Sequence, residues 1–218
     1  METTVKYVIV ADSETGGLPN KNKKAFYDIA LAEVAMVVVD CINLDIVTEY
    51  NAIIAPYKDG LEYSPQAEEV HGLSVQHLTE NGEDIKTVYK ETKALLKKYA
   101  NKRIGAILAG HNFQLFDIPF FEGMFAFNND DLWEYVKFVE DTMKLSYYRA
   151  TEQENYKLGT CCRKEGIELV DAHRALTDTR ANAYLMLKYI ELMRGNVVAQ
   201  PSASVKKESR FRENFQLV

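Results

Sequence analysis

Residues 6–11, Lys-Tyr-Val-Ile-Val-Ala, form an apolar run that ends on Asp12, with Glu14 two positions on and the pair Gly16-Gly17 close behind. A short run of this kind reads as a buried central strand, and the glycines predict a turn at its end. Asp12 is therefore expected at a strand end. Residues two apart on an extended backbone point to the same side, so one cation could touch both carboxylates. A solvated turn accounts for the same residues.

Two further Val-, Ile- and Ala-rich stretches, 29–40 and 46–55, are separated by the polar region 41–45 and predict an antiparallel continuation of the sheet. From Ser64-Pro65 to Lys102 the spacing turns helical, with Val88, Thr92, Leu95, Leu96 and Tyr99 on one face of the clearest helix. Residues 104–109 return to an apolar strand. Helices are expected over 117–127, 142–148, 158–164 and about 176–193. Strands first and mixed elements afterwards predict an α/β class with a mixed central sheet flanked by helices. A chain of 218 residues suits one sizeable domain, expected over 1–194, with the Pro- and Ser-containing 195–218 as a flexible or partner-binding tail.

Two later segments carry chemistry. His111-Asn112-Phe113-Gln114-Leu115-Phe116-Asp117 follows the 104–109 strand and puts a carboxylate at a strand-to-helix junction, where a helix cap is the plain alternative. His173-Arg174-Ala175-Leu176-Thr177-Asp178 brings a histidine and an acid to the same end of a helix. A solvent-facing histidine and an acid complementing the helix dipole would look alike.

Together, Asp12-Ser13-Glu14-Thr15, Asn112 to Asp117 and His173 to Asp178 resemble the three motifs of the DEDDh 3′→5′ exonucleases, in the family's order. The resemblance runs from Val5 to Met193 and takes in Glu69-Val70-His71-Gly72-Leu73 and Glu140-Asp141-Thr142, matches typical of the polymerase proofreading epsilon-like branch. It implies a ribonuclease H-like fold and hydrolysis of nucleic acid from a free 3′ end by two divalent ions, Mg²⁺ or Mn²⁺. By the same resemblance Asp12 would bridge both ions, Glu14 and Asp178 would hold the one with the attacking water, and Asp117 the other. His173 would be the general base. Thr15, Leu18, His71 and Asn112 would contact substrate, Leu18 packing on the last base. A turn threonine, a core leucine and a loop histidine with a structural hydrogen bond are the plain alternatives. Gly16 stands where many relatives carry a second threonine. The three residues between Asn112 and Phe116, with Ile118-Pro119 after Asp117, look more like autonomous repair-type enzymes.

Composition bounds this reading. No apolar run approaches the roughly 20 residues of a membrane helix, the N-terminus lacks a secretory pattern, and Cys41, Cys161 and Cys162 fit neither a disulfide framework nor a zinc site. A cytoplasmic protein with reduced thiols is expected. A net charge of −6 is unusual for a nucleic-acid binder, yet four clustered carboxylates would be offset by bound cations. Lys21, Lys23, Lys24, Lys97, Lys98, Lys102 and Arg103 offer local positive charge. Weak, salt-sensitive binding and distributive digestion follow from the lack of a broad basic surface. DNA is the favoured substrate, an exoribonuclease or a catalytically inactive binding module the alternatives. The tail, with Phe211, Phe215, Leu217 and Val218, could dock on a polymerase or sliding clamp.

Overall fold

The computed structural model describes residues 5–149, 152–169 and 173–195. Side-chain parity along its first strand, β1 (Tyr7–Thr15), sets the layering. Val8 and Val10 pack with Ala183, Met186 and Leu187 of the last helix, α8 (Ala175–Gly195), while Ile9 and Ala11 join the larger core on the opposite face. The strand is thus apolar on both sides because both sides are covered. Continuing that parity, Asp12 and Glu14 follow Val10 toward the α8 side, and Ser13 follows Ala11.

β1 lies at the centre of a five-stranded sheet of order β3-β2-β1-β4-β5, with β2 (Leu31–Asp40), β3 (Asp45–Ile53), β4 (Ala106–Gly110) and β5 (Val136–Asp141). β1 pairs antiparallel with β2 and parallel with β4, β2 pairs antiparallel with β3, and β4 pairs parallel with β5. The mixed sheet expected from the sequence is present. All ten residues of β2 are buried. Each fully buried Val, Leu or Met there contributes on the order of 1.5–3 kcal/mol over an exposed one.

Between β3 and β4 run α1 (Pro65–His71), α2 (Val75–Asn81) and α3 (Ile85–Tyr99), capped at their N-termini by Ser64, Ser74 and Asp84. Val88, Thr92, Leu96 and Tyr99 form the buried face of α3 as the spacing required. After β4 come α4 (Phe113–Phe116) and α5 (Ile118–Phe127), then a 3-10 turn at Leu132–Glu134 leading into β5. α6 (Thr142–Arg149) and α7 (Leu158–Lys164) precede α8. Phe113, Phe120, Phe121 and Phe125 fill the core opposite α8.

Two expectations need correction. Asp12 does not end its strand: pairing with β4 stops at Val10, but pairing with β2 carries β1 on through Glu14 opposite Glu33 and Thr15 opposite Leu31. The acids therefore stand on a rigid strand half-uncovered along one edge. β5, which the apolar pattern does not announce, is the fifth strand; Lys137, Phe138 and Glu140 are exposed on it, as suits a sheet edge. The three cysteines are free and buried. No described helix is long and apolar enough to cross a membrane. Of the expected tail, all but Gly195 lies outside the described residues, as do Phe211, Phe215, Leu217 and Val218.

Candidate active site

Three chain segments meet beyond the point where β4 leaves β1. From β1 come Asp12 and Glu14; from the first turn of α8 comes Asp178, brought over by the helix that packs on the same face. One carboxylate oxygen from each of the three lies within 4.8 Å of the others. Asp178 Oδ2 accepts the backbone N–H of His173 at 3.1 Å, and its buried Oδ1 has no partner among the described residues.

Asp117 enters from the opposite side. The plain helix-cap explanation does not hold for it: its side chain makes no capping bond to α5 and instead Oδ1 accepts the Ser13 hydroxyl at 2.6 Å. Asn112 precedes it in the left-handed backbone region (φ 59°), which asparagine tolerates, and its N–H donates to the buried Asp141 at 2.9 Å. Asp141 also accepts from Met143 N at 3.0 Å, so the end of β5 fixes the loop that carries Asp117. His111 is engaged elsewhere, with Thr142 Oγ1 at 2.9 Å and the Tyr156 carbonyl at 2.7 Å.

Crowding four acids in a partly buried site raises their proton affinities. Burial first, then the charges of Asp117, Glu14 and Asp178, push the Asp12 carboxyl well above its ordinary value. Burial with Asp178, Glu33 and Asp117 nearby pushes Glu14 up to about 8. Burial lifts Asp117 to about 7 against the Ser13 hydrogen bond, and raises Asp178 as well, opposed by its bond from His173. Neighbouring carboxyl oxygens, an orphaned Asp178 Oδ1 and raised proton affinities are what a cation site looks like before its charge is supplied. An all-oxygen donor set suits a hard divalent ion.

On the ligand set that the sequence resemblance implies, Mn²⁺ binding should expel protons held at pH 7 by Glu14 and Asp117. Calorimetry at pH 7 in buffers of different ionisation enthalpy should show release of about one to two protons per chain. Apparent affinity should rise about tenfold or more between pH 6 and pH 8. A pH-independent affinity would contradict the raised values.

Beside Glu14 opens a cleft of about 530 Å³ lined by Thr15, Gly17, Leu18, Glu62, Ser64, Gln66, Ala67, Val70 and His71. Leu18 is 69% exposed, so it is no core residue. The Thr15 hydroxyl donates to the Gly17 carbonyl at 2.8 Å and tightens the turn. His71 is not a loop residue: it ends α1 and is buried, with Nδ1 accepting the Leu73 N–H at 3.1 Å. Its burial holds its pKa below the ordinary value, against the Thr15 backbone alongside. Gly16 is required by close approach, since a Cβ there would stand 2.3 Å from the Glu62 carbonyl oxygen. A second threonine could not fit while the 62–64 segment is hydrogen-bonded to Gly16. Of the basic residues, Lys23 pairs with Glu62 on the cleft wall at 2.5 Å.

Sequence reasoning missed Glu33. It is fully buried on β2 opposite Glu14 and accepts four hydrogen bonds, from Asn51 Nδ2, from Arg174 Nε and Nη2, and from the backbone of Ala175. A lone glutamate inside the apolar run Leu-Ala-Glu-Val-Ala-Met was the available signal.

A family model described as Exonuclease (RNase_T) matches residues 9–186. The chain belongs to the DEDDh-type 3′→5′ exonuclease family. Among relatives of this exonuclease, the DNA polymerase III PolC-type protein of Bacillus cereus is 28% identical over 183 residues, 84% of this chain. That of Staphylococcus epidermidis is 27% identical over 186 residues, 85% of this chain. The chain spans 11% of the length of each. The crystal structure of E. coli exonuclease I with a dT13 oligonucleotide superposes with a TM-score of 0.70 at 18% identity, covering 88% of this chain and 42% of that one. The nuclease domain of 3'hExo, a DEDDh family member bound to rAMP, gives 0.67 at 15% identity and covers 88% of this chain and 94% of that domain. Both share the ribonuclease H-like fold of this exonuclease, and the family uses divalent metals.

Proposed function

We propose that this exonuclease, residues 1–194, removes nucleoside 5′-monophosphates one at a time from the 3′ end of DNA in the cytoplasm, in proofreading or repair. The observation that carries the chemistry is the trio Asp12, Glu14 and Asp178, with oxygens within 4.8 Å of one another and Asp178 Oδ1 unpartnered. Asp12, Glu14 and Asp178, with Asp117 completing the set, would hold two divalent ions, Mg²⁺ or Mn²⁺. When bound, these supply an activated water and neutralise charge at the leaving 3′ oxygen.

The chain's own residues do the rest. His173 stands exposed at the start of α8, one hydrogen bond from Asp178, and its imidazole takes the proton of the attacking water. A P–O bond forms from the water oxygen and the P–O3′ bond breaks; the leaving 3′ oxygen takes a proton from solvent, giving a nucleoside 5′-monophosphate and a shortened strand with a 3′ hydroxyl. Ser13 holds Asp117 toward the site through its 2.6 Å hydrogen bond. Thr15 and Leu18 receive the terminal nucleotide in the cleft beside Glu14, Leu18 as the exposed apolar surface on which the last base packs. His71 builds the cleft wall, and Asn112 meets the strand at the loop that carries Asp117. Truncating Leu18→Ala should raise KM for a single-stranded oligonucleotide about 3- to 30-fold, the worth of one stacking contact, with kcat within about twofold. An unchanged KM would remove Leu18 from the binding surface.

DNA as substrate is supported by the PolC-type DNA polymerase relatives and by the exonuclease I complex with dT13. The 3'hExo domain bound to rAMP keeps an exoribonuclease as the second reading. A polymerase partner is the role the PolC-type relatives suggest, with the 195–218 tail as its docking segment. Matched 5′-labelled DNA and RNA oligonucleotides, incubated with Mg²⁺, Mn²⁺ or EDTA, test polarity, sugar preference and metal need together. Shortening of DNA from the 3′ end with Mg²⁺ and none with EDTA is expected. Faster digestion of RNA would give the second reading precedence.

A further inference from the structure

His173 occupies a costly backbone conformation. Its φ of 70° lies in the left-handed region, where a non-glycine residue costs on the order of 1–2 kcal/mol and persists only if its surroundings over-determine it. On the side of α8, the constraint is visible. The His173 N–H is tied to Asp178 Oδ2, and the next residue, Arg174, clamps Glu33 through Nε at 3.3 Å and Nη2 at 3.0 Å. Ala175 N adds a third bond to Glu33 at 3.2 Å, and Asn51 Nδ2 a fourth at 3.0 Å.

Four donors saturate the Glu33 carboxylate, so it has no lone pair left for a cation. It serves instead as a buried anchor on β2, the strand that also pairs with Glu14. The Arg174 guanidinium, about half exposed, pairs with the fully buried Glu33 carboxylate. This ties the start of α8 to β2 across 141 residues of sequence and, through the Glu33–Glu14 pairing of β2 with β1, to β1.

We propose that Arg174 and Glu33 are positioning residues for the hydrolytic reaction, a bidentate latch that holds His173 in its left-handed conformation beside Asp178. The proposal rests on the general-base role assigned to His173 above. A latch of this kind acts on the turnover step, because a displacement of about 1 Å at a reacting group can cost about 100-fold in rate.

The test is a double-mutant cycle on the full chain. Arg174→Met, with Glu33→Gln/Arg174→Met as a second variant that leaves no unpaired buried charge, is measured alone and combined with His173→Asn. Each is first checked for cooperative thermal unfolding. In the wild-type background the latch variants should lower kcat about 10- to 100-fold with KM within about threefold. In the His173→Asn background the same changes should cost less than about twofold, since there is no base left to misplace. Mn²⁺ affinity by calorimetry, without substrate, should stay within about threefold. Arg174→Lys should recover little, because a lysine cannot make the paired bonds of a guanidinium.

Equal loss of kcat in both backgrounds would overturn the latch, as would undiminished kcat in either folded latch variant. A tenfold loss of Mn²⁺ affinity would also overturn it, by assigning the effect to the carboxylates. A His173→Asn variant with full activity would instead overturn the general-base assignment, and so distinguishes the two failures.

Discussion

On the proposed assignment, Asp12→Asn should abolish metal-dependent exonuclease activity, by at least about 10³-fold, while making the metal-free protein more stable at alkaline pH. The activity loss follows from removing the acid that shares its surroundings with all three other carboxylates; several kcal/mol of transition-state charge stabilisation rest on bound ions in such a site. The stability gain follows from the same crowding. Each of these carboxyls has a folded-state pKa above its unfolded value, so the folded state holds more protons than the unfolded chain. Their contribution to stability is complete below about pH 4 and is lost as pH rises through the folded values, about 7 for Asp117 and about 8 for Glu14. Neutralising Asp12 removes the charge that each of the others opposes. The metal-free variant is therefore expected to melt higher than wild type at pH 9. At pH 5 the difference should vanish. Thermal unfolding in EDTA at pH 5, 7 and 9 measures it, and a variant that melts no higher than wild type at pH 9 would show that the acids do not strain the fold.

The acids could be found in the sequence because each sits beside an abrupt change of pattern. Asp12 closes an apolar run, Asp117 follows the run of β4, and Asp178 begins the spacing of α8, so short-range order carried their positions. Depth of strand was harder: β1 runs past Asp12 because β2 is longer than β4, and nothing local to residues 12–15 encodes the length of a partner. β5 was missed because its edge position leaves Lys137, Phe138 and Glu140 exposed and breaks the alternation that marks a half-covered strand. The Glu33 network was illegible for a different reason. Hydrogen bonds between residues 141 apart depend on how α8 lies across the sheet, and Arg174 in isolation is one more exposed cation on a helix end. The same holds for Ser13, whose bond to Asp117 spans 104 residues and exists because strand parity turns Ser13 to the opposite side from Asp12.

On the proposed assignment, His173→Asn should lower kcat about 10²- to 10⁴-fold, the range over which a positioned general base acts. Asparagine is the informative replacement because it accepts the left-handed backbone that His173 adopts, where alanine would add strain. KM should move less than about threefold, since the cleft that receives the nucleotide is lined from β1 and α1 and not from residue 173. Mn²⁺ affinity should also hold, because the residue reaches Asp178 through its backbone N–H, which asparagine keeps. These three readings together separate a base from a ligand: loss of a ligand would weaken metal binding and be mended by more metal, whereas loss of a base would not. The exposure of the side chain adds a direct check. Free imidazole in the buffer can reach the vacated position, so millimolar imidazole should restore part of the lost rate to His173→Asn and none to Asp12→Asn. Rescue of neither variant, together with a His173→Asn rate restored by excess Mn²⁺, would move His173 from proton transfer to metal binding.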